Sequence, residues 1–395
     1  MRGLREDIEG LFLEGVHAAT PKHLSPLFWR EHSELKHLLS HPDKKNYVFA
    51  LGKAAYSMAL SFQDFFSVDS GFILTKYKHL PSEIASKGQL GVWKCREASH
   101  PIPDQNSERY SREVLFDLKN LNEDHQLIVL LSGGGSSLFE IPELGYSLED
   151  IIQLNQNLLK KGLSIQEINS ARKEYSALKA GKLLGQLNPN LKVYTFVISD
   201  VLGDDPNVIA SAPTYPGSEY FIMGNLSSSL NAIQNKAVDL GYQVKQISNS
   251  WDLSSEETAK RMIDELLVAN ENPNPQAILL GGELVCPVHG DGLGGRNQET
   301  ALRVGILVDS IRTNREWMFL SCGTDGTDGP TDAAGGIVGP ESLKQMKTKG
   351  WDPVLELERS NSYPILKDIG SLLFTGATGT NVNDIIILLL AKRNS

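Results

Sequence analysis

Five stretches of this chain hold the residue types that catalysis draws on. In LLSGGGSSLFE, Ser132, Gly133, Gly134, Gly135, Ser136 and Ser137 follow an apolar run. Three successive glycines expose backbone amides that can form an anion-binding nest, with hydroxyls to assist, and phosphate is the natural guest. The plain alternative is a glycine-rich strand-to-helix turn without a ligand. In SCGTDGTDGPTDAAGGIV, Asp325, Asp328 and Asp332 stand among five glycines. Carboxylates so close repel one another unless a cation, a basic side chain or helix amides answer them, although Asx-Gly sequences also make ordinary turns. GGRNQE packs Arg296, Asn297, Gln298 and Glu299 into the first turn of a helix. An arginine there is unfavourable beside the positive end of the helix dipole and calls for an anion. SDVLGDDPNVIASAPT carries Asp200, Asp204 and Asp205 after an apolar run. Asp200 suits a Mg²⁺ ligand or a base, whereas Asp205 before Pro206 can cap a helix. INSARKEYSALKAGKLL places Asn169, Arg172 and Lys173 on adjacent turns of a predicted helix, with Lys179 and Lys182 beyond. Such a charge run is a solvated face unless it turns toward a crevice.

Positioning these groups requires a framework of strands. Apolar runs at YVFALGKAA, SGFILTKY, HQLIVLLSGGGSS, LKVYTFVISDV, PQAILLGGE and REWMFLSCGTDG alternate with helical patterns, which implies parallel βαβ units. Lys53, Ser132, Asp200, Glu283 and Asp325 fall at the carboxyl ends of those runs, where open α/β sheets bind ligands. The ENPNPQ stretch, 271–276, reads as a linker. The expected fold is therefore α/β with two domains: a larger Rossmann-like domain with a mostly parallel sheet over 1–270, and a smaller α/β domain over 271–395. The active site is expected in the cleft between them.

With 395 residues, 41% hydrophobic and 22% charged, the chain has the makings of an ordinary globular protein. Its net charge of -10 disfavours nucleic acid and anionic membranes as partners, so an anionic substrate needs a local basic cluster. Three scattered cysteines suggest neither a disulfide framework nor zinc and fit a reducing cytoplasm. MRGLREDIEGLFLEGVHAA reads as an amphipathic helix rather than a signal peptide, and IIILLLA is too short to span a bilayer. Neither a Walker A loop nor a G-x-S-x-G elbow occurs. Gly290, Gly292 and Gly295 spell G-x-G-x-x-G, but Pro287 sits where the preceding strand should be and the expected acidic residue is misplaced.

A nest for phosphate, carboxylates for Mg²⁺ and scattered cations describe phosphoryl transfer. From about Lys53 to about Asp384, the motifs GKAA, SGGGSS, INSARKEYSALKAGKL, SDVLGDDPNVIASAPT, GGE, GGRNQE, GTDGTDGPTDAAG and TGATGTNVND occur in the order found in the glycerate 2-kinases of the MOFRL family. The sequence resembles that family, in which a DUF4147-type domain precedes a MOFRL domain. It departs from the family at Leu202 (usually Pro), at Ala180 and Ala212 (usually Gly), and at Thr300 (usually an aromatic or Leu).

The resemblance implies ATP-dependent phosphorylation of D-glycerate on its 2-hydroxyl, with Mg²⁺, in the cytoplasm. Small molecules are the partners, and a homodimer is an admissible assembly. Ser132–Ser137 are then expected to hold ATP phosphates, and Lys53, Arg296, Asp200 and Asp325 to be catalytic, with Asp200 and Asp325 as Mg²⁺ ligands. Asn169, Arg172, Lys173, Glu283, Asn297, Gln298, Glu299 and Asp328 are expected around the substrate, while Asp332 is expected to cap the following helix. The competing readings are a nicotinamide-dependent hydroxypyruvate reductase and a non-catalytic sensor of sugar phosphates or nucleotides.

Overall fold

The structure is a computed structural model that describes residues 3–161, 172–311, 313 and 315–392. It separates into two compact units of comparable length. One comprises residues 20–225 and 379–381, and the other comprises 1–19, 226–378 and 382–395.

The first unit is built on β1 (Lys45–Leu51), β2 (Ser70–Lys76), β3 (Gln89–Leu90), β4 (Trp93–Ala98), β5 (His125–Ser132), β6 (Lys192–Ile198) and β7 (Glu219–Gly224). They lie in the order β3-β4-β2-β1-β5-β6-β7, and every pairing is parallel except β3 with β4. Helices cover the sheet, so the central strands are apolar throughout: in HQLIVLLS every residue after His125 is buried. From β1 the chain crosses to β2 on one side, while β5 lies on the other. The loops after β1 and β5 therefore part company at a topological switch point, the position at which such sheets take ligands. An aromatic cluster anchors the unit, with the Trp29 and Phe196 rings 5.1 Å apart, edge to face, and Phe196 stacked 5.4 Å from Phe221.

The second unit holds β8 (Gln243–Trp251), β9 (Gln276–Gly282), β10 (Trp317–Gly323), β11 (Gly335–Val338), β12 (Leu372–Leu373) and β13 (Asp384–Leu390), in the order β12-β11-β10-β13-β9-β8. Here the expectation of repeated parallel units is not met. β8 and β9 pair in parallel, but β10, β11, β12 and β13 pair antiparallel with their neighbours, because β10 returns directly into β11 through the aspartate-rich turn. The IIILLLA run supplies β13, which is buried along its whole length between β9 and β10. Among the described residues no helix is long and apolar enough to cross a membrane.

The division expected at 270/271 is not where the units part. The ENPNPQ stretch joins the helix Ser255–Asn270 to β9 inside the second unit, since β8 pairs with β9 across it. The helix Leu4–Ala18 also belongs to the second unit. It buries Ile8, Leu11 and Phe12, and Gly15 lets it approach so closely that an added methyl would lie 2.6 Å from Ile233 Cδ1.

Phe196 has no exposed surface and is surrounded by rings, so Phe196→Ala should lower the unfolding free energy of the first unit by roughly 3–5 kcal/mol. Denaturant unfolding followed by tryptophan fluorescence would measure this, and an unshifted midpoint would rule out the aromatic cluster as an anchor.

Candidate active site

Two polar centres form, one in each unit. In the first, the loops after β1 and β5 are stitched together. The Lys53 amide donates to the Gly133 carbonyl (2.8 Å), and the Ala54 amide donates to Ser132 Oγ (3.0 Å). Gly52, at φ +115°, presses so closely on Ser132 that an added methyl would sit 2.3 Å from its carbonyl oxygen, so no other residue fits. The glycines of the loop are equally confined. A methyl on Gly133 would lie 1.9 Å from Asp200 Oδ2, and one on Gly134 would lie 3.0 Å from the His100 ring and 3.4 Å from Lys53 Cγ. Gly134, at φ +85°, turns the chain into a one-turn helix over Gly135–Leu138. The loop is thus bordered by a cation (Lys53), an imidazole (His100) and a carboxylate (Asp200), and Asn381 Nδ2 donates to Asp200 Oδ2 (2.8 Å). His79 Nδ1 lies 3.0 Å from the Lys53 carbonyl and fixes the backbone that carries the lysine.

The basic stretch that follows is partly internal. Helical residues end at Tyr175, Ser176 bridges to Pro142, and Gly181 takes φ +76°, so Lys179 and Lys182 lie beyond the helix. Lys179 and Glu140 form a fully buried ion pair, in which burial pulls the ammonium pKa down and Glu140 opposes the fall. Arg172 Nε donates to Asn155 Oδ1 (2.6 Å), and burial lowers its pKa too, with Glu140 opposing. Lys173 offers its carbonyl to Lys182 Nζ (3.0 Å). Asn169 lies outside the described residues.

In the second unit, the helix Arg296–Leu307 points its amino end at carboxylates. Asp384, the first residue of β13, has no exposed surface. It accepts from Arg296 Nε (2.6 Å) and Nη2 (3.0 Å), from Asn297 Nδ2 (2.9 Å) and from the Leu284 amide (3.0 Å). The anion that an arginine at a helix amino terminus demands is therefore supplied by the protein itself. Asp384 holds the guanidinium pKa above its ordinary value against the opposing effect of burial, with Asp328 and Glu283 adding to the rise. Arg296 nevertheless keeps 37% of its side chain exposed, so it can also meet a ligand.

Asp328 caps the same helix, accepting from the backbone amides of Asn297 (3.2 Å) and Gln298 (2.8 Å). Burial pushes its pKa up to about 6, opposed by those amides and by Arg296. Asp325 accepts from the Thr327 amide (3.0 Å) and hydroxyl (3.1 Å), which folds the turn after β10. Asn297 accepts from Ser321 Oγ (2.7 Å), and Gln298 Nε2 donates to Thr331 Oγ1 (2.8 Å). Glu299 is taken up by Ser255 Oγ, Cys286 Sγ and Arg303, so it braces the helix rather than facing outward. Asp332 does not cap a helix: β11 follows it, and it accepts from the Tyr363 hydroxyl (2.7 Å). Gly290 and Gly292 pack on the backbone of Arg359, with no strand before them, so they do not form a dinucleotide loop.

Residues 7–234 match the family model of DUF4147, a domain of unknown function, and residues 276–384 match that of the MOFRL family. The chain belongs to the DUF4147–MOFRL family. A D-glycerate 2-kinase of Thermotoga maritima is 40% identical over an alignment covering 86% of this chain and 89% of that protein. A glycerate 2-kinase of Pyrococcus horikoshii is 34% identical, covering 88% of each. The crystal structure of a glycerate kinase from Thermotoga maritima superposes with a TM-score of 0.83 at 35% identity, covering 98% of this chain and 99% of that one.

Asp384, Asn381 and His100 escaped the sequence reading. The first two stand in TGATGTNVND, where the transition from Asn/Asp to a wholly apolar strand marks a polar residue at a buried strand end. His100 has no such signal, because the fold alone brings it to Gly134.

An acid whose pKa is raised in the folded state binds more protons folded than unfolded. The contribution of Asp328 to stability is therefore complete below its ordinary 3.8 and lost as pH rises through about 6. Relative to Asp328→Asn, the natural protein should lose on the order of 2–3 kcal/mol of unfolding free energy between about pH 4 and about pH 7. Parallel denaturation curves at the two pH values would test this, and identical pH dependence in both proteins would exclude Asp328 as the source.

Proposed function

We propose that this chain is a glycerate kinase that transfers the γ-phosphoryl group of ATP to the 2-hydroxyl of D-glycerate, giving ADP and 2-phosphoglycerate. The observation that carries the reading is the loop Ser132–Ser137. Gly133 lies flush against Asp200, and Gly134 against the His100 ring and the Lys53 side-chain stem, so no larger side chain fits at either position. The names of the relatives supply the acceptor.

In this reading the loop amides bind phosphate oxygens, and Lys53 offsets their charge. Arg296, already oriented by Asp384, presents its remaining donors to the glycerate carboxylate or the moving phosphoryl group. The hydroxyl oxygen forms the new bond to phosphorus, the bond from phosphorus to the ADP oxygen breaks, and the hydroxyl proton passes to a carboxylate. No three His, Cys, Asp or Glu side chains among the described residues form a ready-made metal cage. Mg²⁺ held by one carboxylate and phosphate oxygens requires none, and Asp200, pressed against the phosphate loop, fits that role. When bound, the ion would draw charge from the phosphate oxygens. The reductase reading lacks its structural element, since Gly290 and Gly292 are committed to Arg359.

Purified protein with glycerate, ATP and Mg²⁺ should release ADP, and coupling to enolase should report the 2-phosphate directly. NADH oxidation with hydroxypyruvate in place of ADP release would refute the kinase. Gly134→Val should raise the ATP concentration needed for half-maximal rate at least tenfold in a folded protein, because valine tolerates neither φ +85° nor the His100 contact. Unchanged ATP dependence would move the phosphates elsewhere.

Lys53→Ala should lower turnover by about 10² to 10³. Arg296→Ala should do the same and also destabilise the second unit by roughly 3–5 kcal/mol, because it strands the buried Asp384. Adding Asp384→Asn should recover stability but not turnover, and Arg296→Lys should recover neither in full. Near-normal turnover at saturating substrates in either alanine variant would make that residue structural.

A further inference from the structure

A second segment is tied to the glycine loop by an unusual backbone. Ala210, Ser211 and Ala212 take φ of +49°, +59° and +59°, three consecutive non-glycine residues in the left-handed region. L-residues there cost roughly 1–2 kcal/mol each and occur singly, so such a run persists only where its surroundings impose it. The surroundings are on both sides. The amides of Ala180 and Gly181 donate to the carbonyls of Ser211 (3.0 Å) and Ala212 (2.7 Å). The neighbouring Lys179 is locked to Glu140, which stands four residues after Ser136. The Ala210 methyl lies so close to the loop that a methyl on Gly135 would come within 2.9 Å of it.

The run presents one polar side chain to the loop, with Ser211 Oγ 2.7 Å from Ser136 Oγ. Ser211 has no exposed surface, whereas Ser136 is partly exposed. A right-handed turn at 210–212 would send the hydroxyl elsewhere.

We infer that Ser211 is a positioning residue for nucleotide binding: held on the left-handed run Ala210–Ala212, its hydroxyl fixes Ser136 and thereby sets the shape of the phosphate-binding loop. The assignment rests on the loop being the phosphate site, as proposed above. It requires no contact between Ser211 and the nucleotide. Its effect should therefore fall on ATP and ADP affinity and leave the glycerate requirement alone.

The test combines kinetics with direct binding of ADP, measured by calorimetry on the full chain. Ser211→Ala should weaken ADP binding and raise the KM for ATP by roughly 3- to 10-fold, the effect of one lost hydrogen bond, with the KM for glycerate within twofold of the natural protein. Ser211→Gly should do the same. Glycine takes the left-handed conformation without cost, so this variant answers the question even if alanine upsets folding. Ser136→Ala combined with either should weaken binding no further than the single variants do, because the two hydroxyls act as one unit. Multiplicative effects, a shift in the KM for glycerate alone, or unchanged ADP affinity in Ser211→Gly would each overturn the inference. A natural protein that neither binds ADP nor consumes ATP would overturn the phosphate reading itself, a result distinct from normal ADP binding with an indifferent Ser211.

Discussion

A carboxylate with no exposed surface must be answered by donors or give up its charge, and Asp384 meets that demand with four. Much of the second unit follows from the arrangement. Leu284 follows β9 and Asp384 opens β13, so the bond between them ties off two antiparallel strands at one end. Arg296 and Asn297 begin the helix Arg296–Leu307, so the same group fixes where that helix starts and which way its amino terminus faces. Asp328 then closes the helix from the turn after β10. Two anions and one cation at a helix start are electrostatically consistent, whereas the arginine alone would oppose the dipole. The network also holds the Arg296 guanidinium in one orientation.

The first unit solves a different problem, bringing two loops within touching distance. Its parallel sheet forces the connections after β1 and β5 to diverge, and the glycines at 52, 133 and 134 let their backbones and neighbouring side chains approach again. The two loops are held together by hydrogen bonds such as that from the Lys53 amide to the Gly133 carbonyl.

How much of this was legible in the sequence depended on whether the signal was local. Ser132–Ser137, Lys53 and Asp200 sit at strand ends because apolar runs stop there, and that boundary can be read from one stretch of chain. The helix start at Arg296 was equally local, but its anion is 88 residues away, so an internal partner could not be read from that stretch. The antiparallel half of the second sheet was missed for the same reason: apolar runs show burial, not strand direction. Ala180 and Ala212, noted only as departures from a family that favours glycine, turn out to have φ of +54° and +59°. The aspartate-rich stretch was read as a carboxylate cluster, yet its three acids serve separate partners: Thr327, the helix amides and Tyr363.

The chain passes between its two units four times, after residues 19, 225, 378 and 381. During synthesis this order matters. The helix Leu4–Ala18 emerges before any strand of its own sheet, and β13, at the centre of that sheet, is the last strand made. Ile8, Leu11 and Phe12 must therefore wait with their apolar face uncovered while residues 20–225 of the other unit are translated. A nascent chain of this protein carries an unsatisfied amphipathic segment for most of its time on the ribosome. The acids Glu6, Asp7, Glu9 and Glu14 are spaced along that helix, and such charges favour solubility of an exposed segment.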